Sequence, residues 1–116
     1  MAVKVMTPVK GDLNKIAQIS FEAAEVASDG MQFTLPRNAS DEYVIVVVHN
    51  TGDAEYGFTV QKPKSGSYYA SASDETFKLP AGAFAAFRFE SAKWANRDGT
   101  ILCVPENVAV KAAVIY

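Results

Sequence analysis

Tyr43-Val44-Ile45-Val46-Val47-Val48-His49-Asn50 decides the fold class. Six apolar residues in succession, five of them β-branched, run into the turn-forming Asn50-Thr51-Gly52-Asp53. The run is far too short for a membrane span, and β-branched side chains suit a pleated surface. It reads as an interior strand covered on both faces, with the rest of the chain arranged around it.

Working outward, the flanking segments keep the period of two. Tyr56, Phe58 and Val60 alternate with smaller or polar residues, and the short separation predicts an antiparallel hairpin with the 43–50 strand. Upstream, Asp29-Gly30 predicts a type I′ turn between a strand at residues 19–27 and a second at Met31-Gln32-Phe33-Thr34-Leu35. Residues 12–27 fit two patterns. Leu13, Ile16, Ala17, Ser20 and Ala24 fall at helical spacing, whereas Ile19, Phe21 and Ala23 alternate; a helical turn at 12–17 followed by the strand accommodates both. Pro36 stops the Met31 strand, and residues 37–42 form a polar loop.

Downstream, residues 63–74 show no pattern, and a loop of that length is uncommon unless functional. Tyr68 and Tyr69 at its centre either fold back over a sheet edge or contact a partner. Thr76–Leu79 alternates into Leu79-Pro80-Ala81-Gly82, a type I turn with Pro second and Gly fourth. Phe84–Phe89 places Phe87 and Phe89 on one face. Residues 90–96 carry the sole tryptophan, Trp94, in an irregular corner. Asp98-Gly99 turns the chain into a strand at 100–104, Pro105-Glu106-Asn107 turns it again, and residues 108–116 close it.

About eight short strands with turn signals every 8–12 residues predict an all-β, single-domain antiparallel β-sandwich of Greek-key or jelly-roll-like form. At 116 residues the chain is one domain by length. Residues 1–10 read as an extended N-terminal arm and residues 11–116 as the sandwich domain.

Composition bears on function mainly by exclusion. A net charge of −2 without like-charge runs argues against nucleic-acid binding, which needs a basic face. No apolar h-region or transmembrane length is visible, so neither a signal peptide nor membrane insertion is expected. Cys103 is the single cysteine and lies in an apolar run, where it behaves as a small buried hydrophobe. His49 is the single histidine and has no partner named by spacing, so catalysis and a zinc site are both disfavoured. The pairs Asp41/Glu42 and Asp74/Glu75 sit in loops and read as solubilising, and Ser28-Asp29-Gly30 lacks the spaced carboxylates of a calcium loop. No enzyme, cofactor or metal is expected.

The order Ala27-Ser28-Asp29-Gly30-Met31-Gln32-Phe33, the 41–51 segment, Phe58-Thr59-Val60, Leu79-Pro80-Ala81-Gly82, Phe87-Arg88-Phe89-Glu90-Ser91, Asp98-Gly99-Thr100 and the closing strand resembles small β-sandwich proteins of tailed-bacteriophage heads. Many of these are capsid decoration (auxiliary or cement) proteins, and the resemblance covers residues 19–116. It implies a non-enzymatic virion protein, made in the bacterial host cytoplasm and bound to the capsid exterior. There it would stabilise the head by bridging major capsid protein subunits, often as a homotrimer.

In such a protein the arm is the candidate capsid contact, through Val3, Lys4, Val5, Met6 and Lys10, by adding a strand to a capsid-protein edge; a merely frayed terminus is the competing reading. Two other classes remain open. A carbohydrate-binding sandwich would stack sugars on Tyr68, Tyr69 and Trp94, and a tail or baseplate component would form rings or filaments.

Overall fold

The computed structural model describes residues 3–11, 14–35, 44–62, 74–88, 94–96 and 98–116. These form an all-β sandwich. Eight strands appear in chain order: β1 Lys4–Val5, β2 Met31–Thr34, β3 Ile45–Asn50, β4 Tyr56–Val60, β5 Glu75–Leu79, β6 Phe84–Arg88, β7 Thr100–Pro105 and β8 Val110–Ile115, with a 3-10 turn at Ala27–Asp29 before β2. One sheet has the order β1-β2-β7-β4-β5 and the other β6-β3-β8. Every pairing is antiparallel except β1 with β2.

The core lies where the inward residues of the two sheets meet. Met31, Phe33, Phe58, Val60, Ile101 and Cys103 from the larger sheet pack against Val46, Val48, Val110, Ala112 and Val114 from the smaller. Alternation sorts these side chains, since successive residues of a strand point to opposite faces. In β3, Val46, Val48 and Asn50 are buried while Ile45, Val47 and His49 are half-buried. β3 is therefore interior within its sheet, between β6 and β8, but only one of its faces joins the core. The expectation of two fully covered faces is corrected: the outer face receives partial cover from Phe21 and Phe84.

The predicted hairpin of β3 with β4 is also corrected. The two strands lie in opposite sheets, and residues 51–55 carry the chain across the sandwich. Asn50 is the physical reason. Fully buried, it donates through Nδ2 to the carbonyls of Ala54 (2.8 Å), Leu79 (2.9 Å) and Pro80 (3.3 Å), and its Oδ1 accepts from Gly52 N–H (2.9 Å). An amide that satisfies this many backbone groups across the seam fixes a corner, not a ladder. The β5–β6 connection crosses beside it, with Gly82 N–H donating to the Asn50 carbonyl and Asn50 N–H to the Ala83 carbonyl. This turn runs from Pro80 to Ala83, one residue later than expected. Gly82 at φ +76 takes its third position, so it is not the predicted type I turn with Gly fourth.

The predicted strand at 19–27 does not form. Only Glu22 pairs there, as an isolated antiparallel bridge to Ala112. The Asp29-Gly30 hairpin is absent because a type I′ turn needs positive φ at both residues, and only Gly30 has it (φ +79). Of the helical turn expected at 12–17, residues 12 and 13 lie outside the described residues and 14–17 are not helical. Asn14 sits at φ +61, outside the helical region.

The eighth strand comes from the arm. Beyond its parallel pairing with β2, Met6 N–H donates to the Gln32 carbonyl (2.8 Å). The chain then crosses to the other sheet, where Val9 and Gly11 bond to Val114 and Tyr116 along the outer edge of β8. Residues 4–11 thus close one side of the sandwich from within the same molecule.

Candidate functional site

The five arm residues expected to face a partner have distinct environments. Met6 is 1% exposed and belongs to the core, so its side chain offers no contact surface. Lys4 pairs with Glu22 at 3.7 Å, and Glu22 also accepts from Thr7 N–H at 3.1 Å, so one carboxylate ties the arm to the 14–26 segment. Val3 is half-buried, Lys10 is exposed and Val5 is 60% exposed. Tyr68 and Tyr69 lie outside the described residues. Trp94 is half-buried and packs against the core. The structure does not bring the arm and Trp94 together as one surface. The arm seals the β1/β8 side, while Trp94 lies with Phe77 of β5 and Phe87 of β6 at the opposite side.

Two surfaces stand out instead. The first lies on the outer face of the small sheet. His49 stacks on Phe84, its cross-strand neighbour, with centroids 3.8 Å apart and planes 7° from parallel. Phe21 meets both rings edge-on, at 5.9 and 6.2 Å. Phe84 is 63% exposed, and the segment that delivers Phe21 also carries exposed Ile16 and Ile19. Parity was the available signal. Phe84 is out of phase with inward Phe87, and His49 is out of phase with Val46 and Val48, so both had to face outward.

The second surface is a cleft of about 270 Å³ lined by Val60, Glu75, Phe77, Phe87, Arg88 and Trp94. Its floor continues the core through an aromatic cluster, with Phe77 5.6 Å from buried Phe58 and 5.7 Å from Phe87. Glu75 and Arg88 stand at its rim. Glu75, expected in a solubilising loop, instead opens β5 and stands at a concave site.

Among the described residues no three His, Cys, Asp or Glu side chains gather, and every buried side-chain nitrogen or oxygen has a partner. Burial pushes the Cys103 thiol up to about 12, which makes it a poor nucleophile. Asp98 is held below the usual carboxylate range, first by the Thr100 hydroxyl and then by its backbone N–H, and it is a turn residue. Among the described residues no helix is long and apolar enough to cross a membrane.

Comparison with known proteins finds no match, whether among protein-family models, curated proteins or solved structures.

Proposed function

We propose that this chain is a non-enzymatic structural protein of a tailed-phage virion, a decoration protein that binds the outside of the head and stabilises it. The observation that carries this reading is the Phe21–His49–Phe84 cluster on the outer sheet, with exposed Ile16 and Ile19 on the segment that delivers Phe21. Exposed apolar side chains grouped on a sheet face mark a protein-interaction surface. Burying an exposed phenylalanine adds about 2 kcal/mol, so a few such residues support a stable contact. The resemblance in turn order and strand pattern supplies the partner class, the major capsid protein, with neighbouring copies of the chain as a homotrimer.

The contact surface is the outer sheet face rather than the arm. The arm's backbone bonds are largely spent on β2 and β8, and Met6 is spent on the core. The test is co-sedimentation with undecorated heads of the phage or prophage that encodes the chain. The native protein should pellet saturably, and Phe84→Ser and Phe21→Ser should pellet less while remaining folded. A native protein left in the supernatant at all head concentrations would sink the reading.

A further inference from the structure

The outward residues of β6, β3 and β8 align in three cross-strand rows. Phe84–His49–Lys111 lies at one end, Arg88–Ile45–Ile115 at the other, and Val47 sits between two alanines in the middle. Cover on this face is uneven. Phe84 is 63% exposed and Ala86 is exposed, whereas Ala113 is buried. The chain carries 13 acidic residues against 11 basic ones, yet the three rows hold two cations and no carboxylate. Glu22 follows Phe21 in sequence, but its carboxylate is turned to Thr7 N–H and Lys4. Resting on the reading of the Phe21–His49–Phe84 face as the docking surface, we propose that its occupant is an acidic surface of another protein. Apolar side chains lie at the centre of that surface, and carboxylates flank them to meet Lys111 and Arg88.

Apolar area and charge select this occupant together. Phe84, Phe21 and Ala86 offer exposed surface that an apolar group removes from water. Lys111 is half-buried and Arg88 exposed, and among the described residues neither forms an ion pair. Covering them with an apolar or cationic partner costs free energy, which a carboxylate offsets. A second copy stacked on this face would bring the same cations and no acid to the seam, so like charges oppose self-association there. The rows also set the spacing. Phe84 and Lys111 end one row with His49 between them. Neighbouring strands lie about 4.8 Å apart, so a carboxylate over Lys111 stands roughly 10 Å from the apolar anchor over Phe84.

The test uses the full chain labelled with nitrogen-15 and two matched probes. Anilinonaphthalene sulfonate is aromatic and anionic, and N-phenylnaphthylamine has the same rings without the sulfonate. Saturable shifts from the sulfonate should centre on the amides of Phe84, Ala86, Val47, His49 and Lys111. The neutral probe should bind the same place several-fold more weakly, and high salt should remove the difference. Lys111→Glu should weaken the sulfonate several-fold, leave the neutral probe unchanged, and lower co-sedimentation with undecorated heads. Phe84→Ser should weaken both probes. Shifts that are absent or centred elsewhere, equal affinity for the two probes, or a Lys111→Glu variant that behaves as the native chain would overturn the proposal. Binding of the native chain to phosphatidylglycerol vesicles through Phe84 and Lys111 would also overturn it, in favour of an anionic lipid surface. Native protein that ignores the heads but binds the sulfonate as described removes the virion reading and supports the acidic partner.

Discussion

The Asn50 side-chain amide donates to the Leu79 carbonyl at 2.9 Å across the seam between the two sheets. Asn50 ends β3 in the small sheet and Leu79 ends β5 in the large one. One buried side chain therefore holds the corner where the chain changes sheet twice, after β3 and after β5.

Asn50→Ala should cost about 3 kcal/mol in chemical denaturation, because several backbone groups lose their partner in a buried site. Asn50→Asp should be worse near neutral pH, since a carboxylate cannot donate to three carbonyls. Burial raises the pKa of that new carboxyl above its unfolded value. The variant is therefore least impaired below the unfolded pKa and loses stability as pH rises through the folded one. A variant as stable as the native protein would remove Asn50 from the corner.

Gly30→Ala and Gly82→Ala separate steric from conformational cost. Both glycines have positive φ (+79 and +76), but a Cβ at Gly30 would lie 2.7 Å from the Cys103 carbonyl oxygen, whereas at Gly82 nothing lies within 4 Å. Gly82→Ala should cost about 1 kcal/mol, the left-handed penalty alone. Gly30→Ala should cost clearly more, because β7 backbone must shift. Equal losses in thermal unfolding would contradict the close approach.

Met6→Ala should destabilise the fold by about 3 kcal/mol, as a buried methionine leaves a cavity. Lys4→Ala should change stability by less than about 0.5 kcal/mol, since its ion pair is long and partly solvated. Deleting residues 1–10 mixes lost packing with any lost contact. Point variants at Val5 and Lys4 are the cleaner probes of the arm as a docking element.

Cys103 should make the protein sensitive to alkali. Its folded pKa is raised from 9.0 to about 12 by burial. Its contribution is fully present below pH 9 and is lost as pH rises from 9 towards 12, at about 1.4 kcal/mol per pH unit. Cys103→Ala removes that slope, so the stability difference between native protein and variant should shrink across this range. A constant difference would show that the thiol does not titrate with unfolding. Thiol reagents should label the native protein only as fast as it opens.

Much of the fold follows from local pattern. Each of β2 to β8 is marked by alternation or a β-branched run bounded by turn residues, and the all-β class follows from their number and spacing. The 19–27 segment shows the limit of that approach. Its alternation of Ile19, Phe21 and Ala23 is genuine, yet the segment makes a single bridge, from Glu22 to Ala112, and sets Phe21 against His49 instead of pairing along its length. The β1 strand shows the converse. Two residues carry no period, and Lys4–Val5 becomes a strand only because the β2 edge stands beside it.

The candidate surfaces divide the same way. That Phe84 and His49 face outward follows from parity within their strands. That they stack on one another and meet Phe21 depends on register between β3 and β6, which no local pattern encodes. The cleft was wholly illegible, since Glu75, Arg88 and Trp94 are far apart in sequence and meet only where two sheet edges lie side by side.

The Tyr43–Asn50 stretch holds both lessons. By itself the sequence determined that Ile45–Asn50 is a strand ending in a turn, because β-branched bulk and Asn-Thr-Gly-Asp act over neighbouring residues. Only the tertiary structure decided which strands flank it and that the chain leaves its sheet at Asn50. That choice rests on an amide satisfied by carbonyls up to thirty residues away, and an energy term of that kind exists only once the sheets have met.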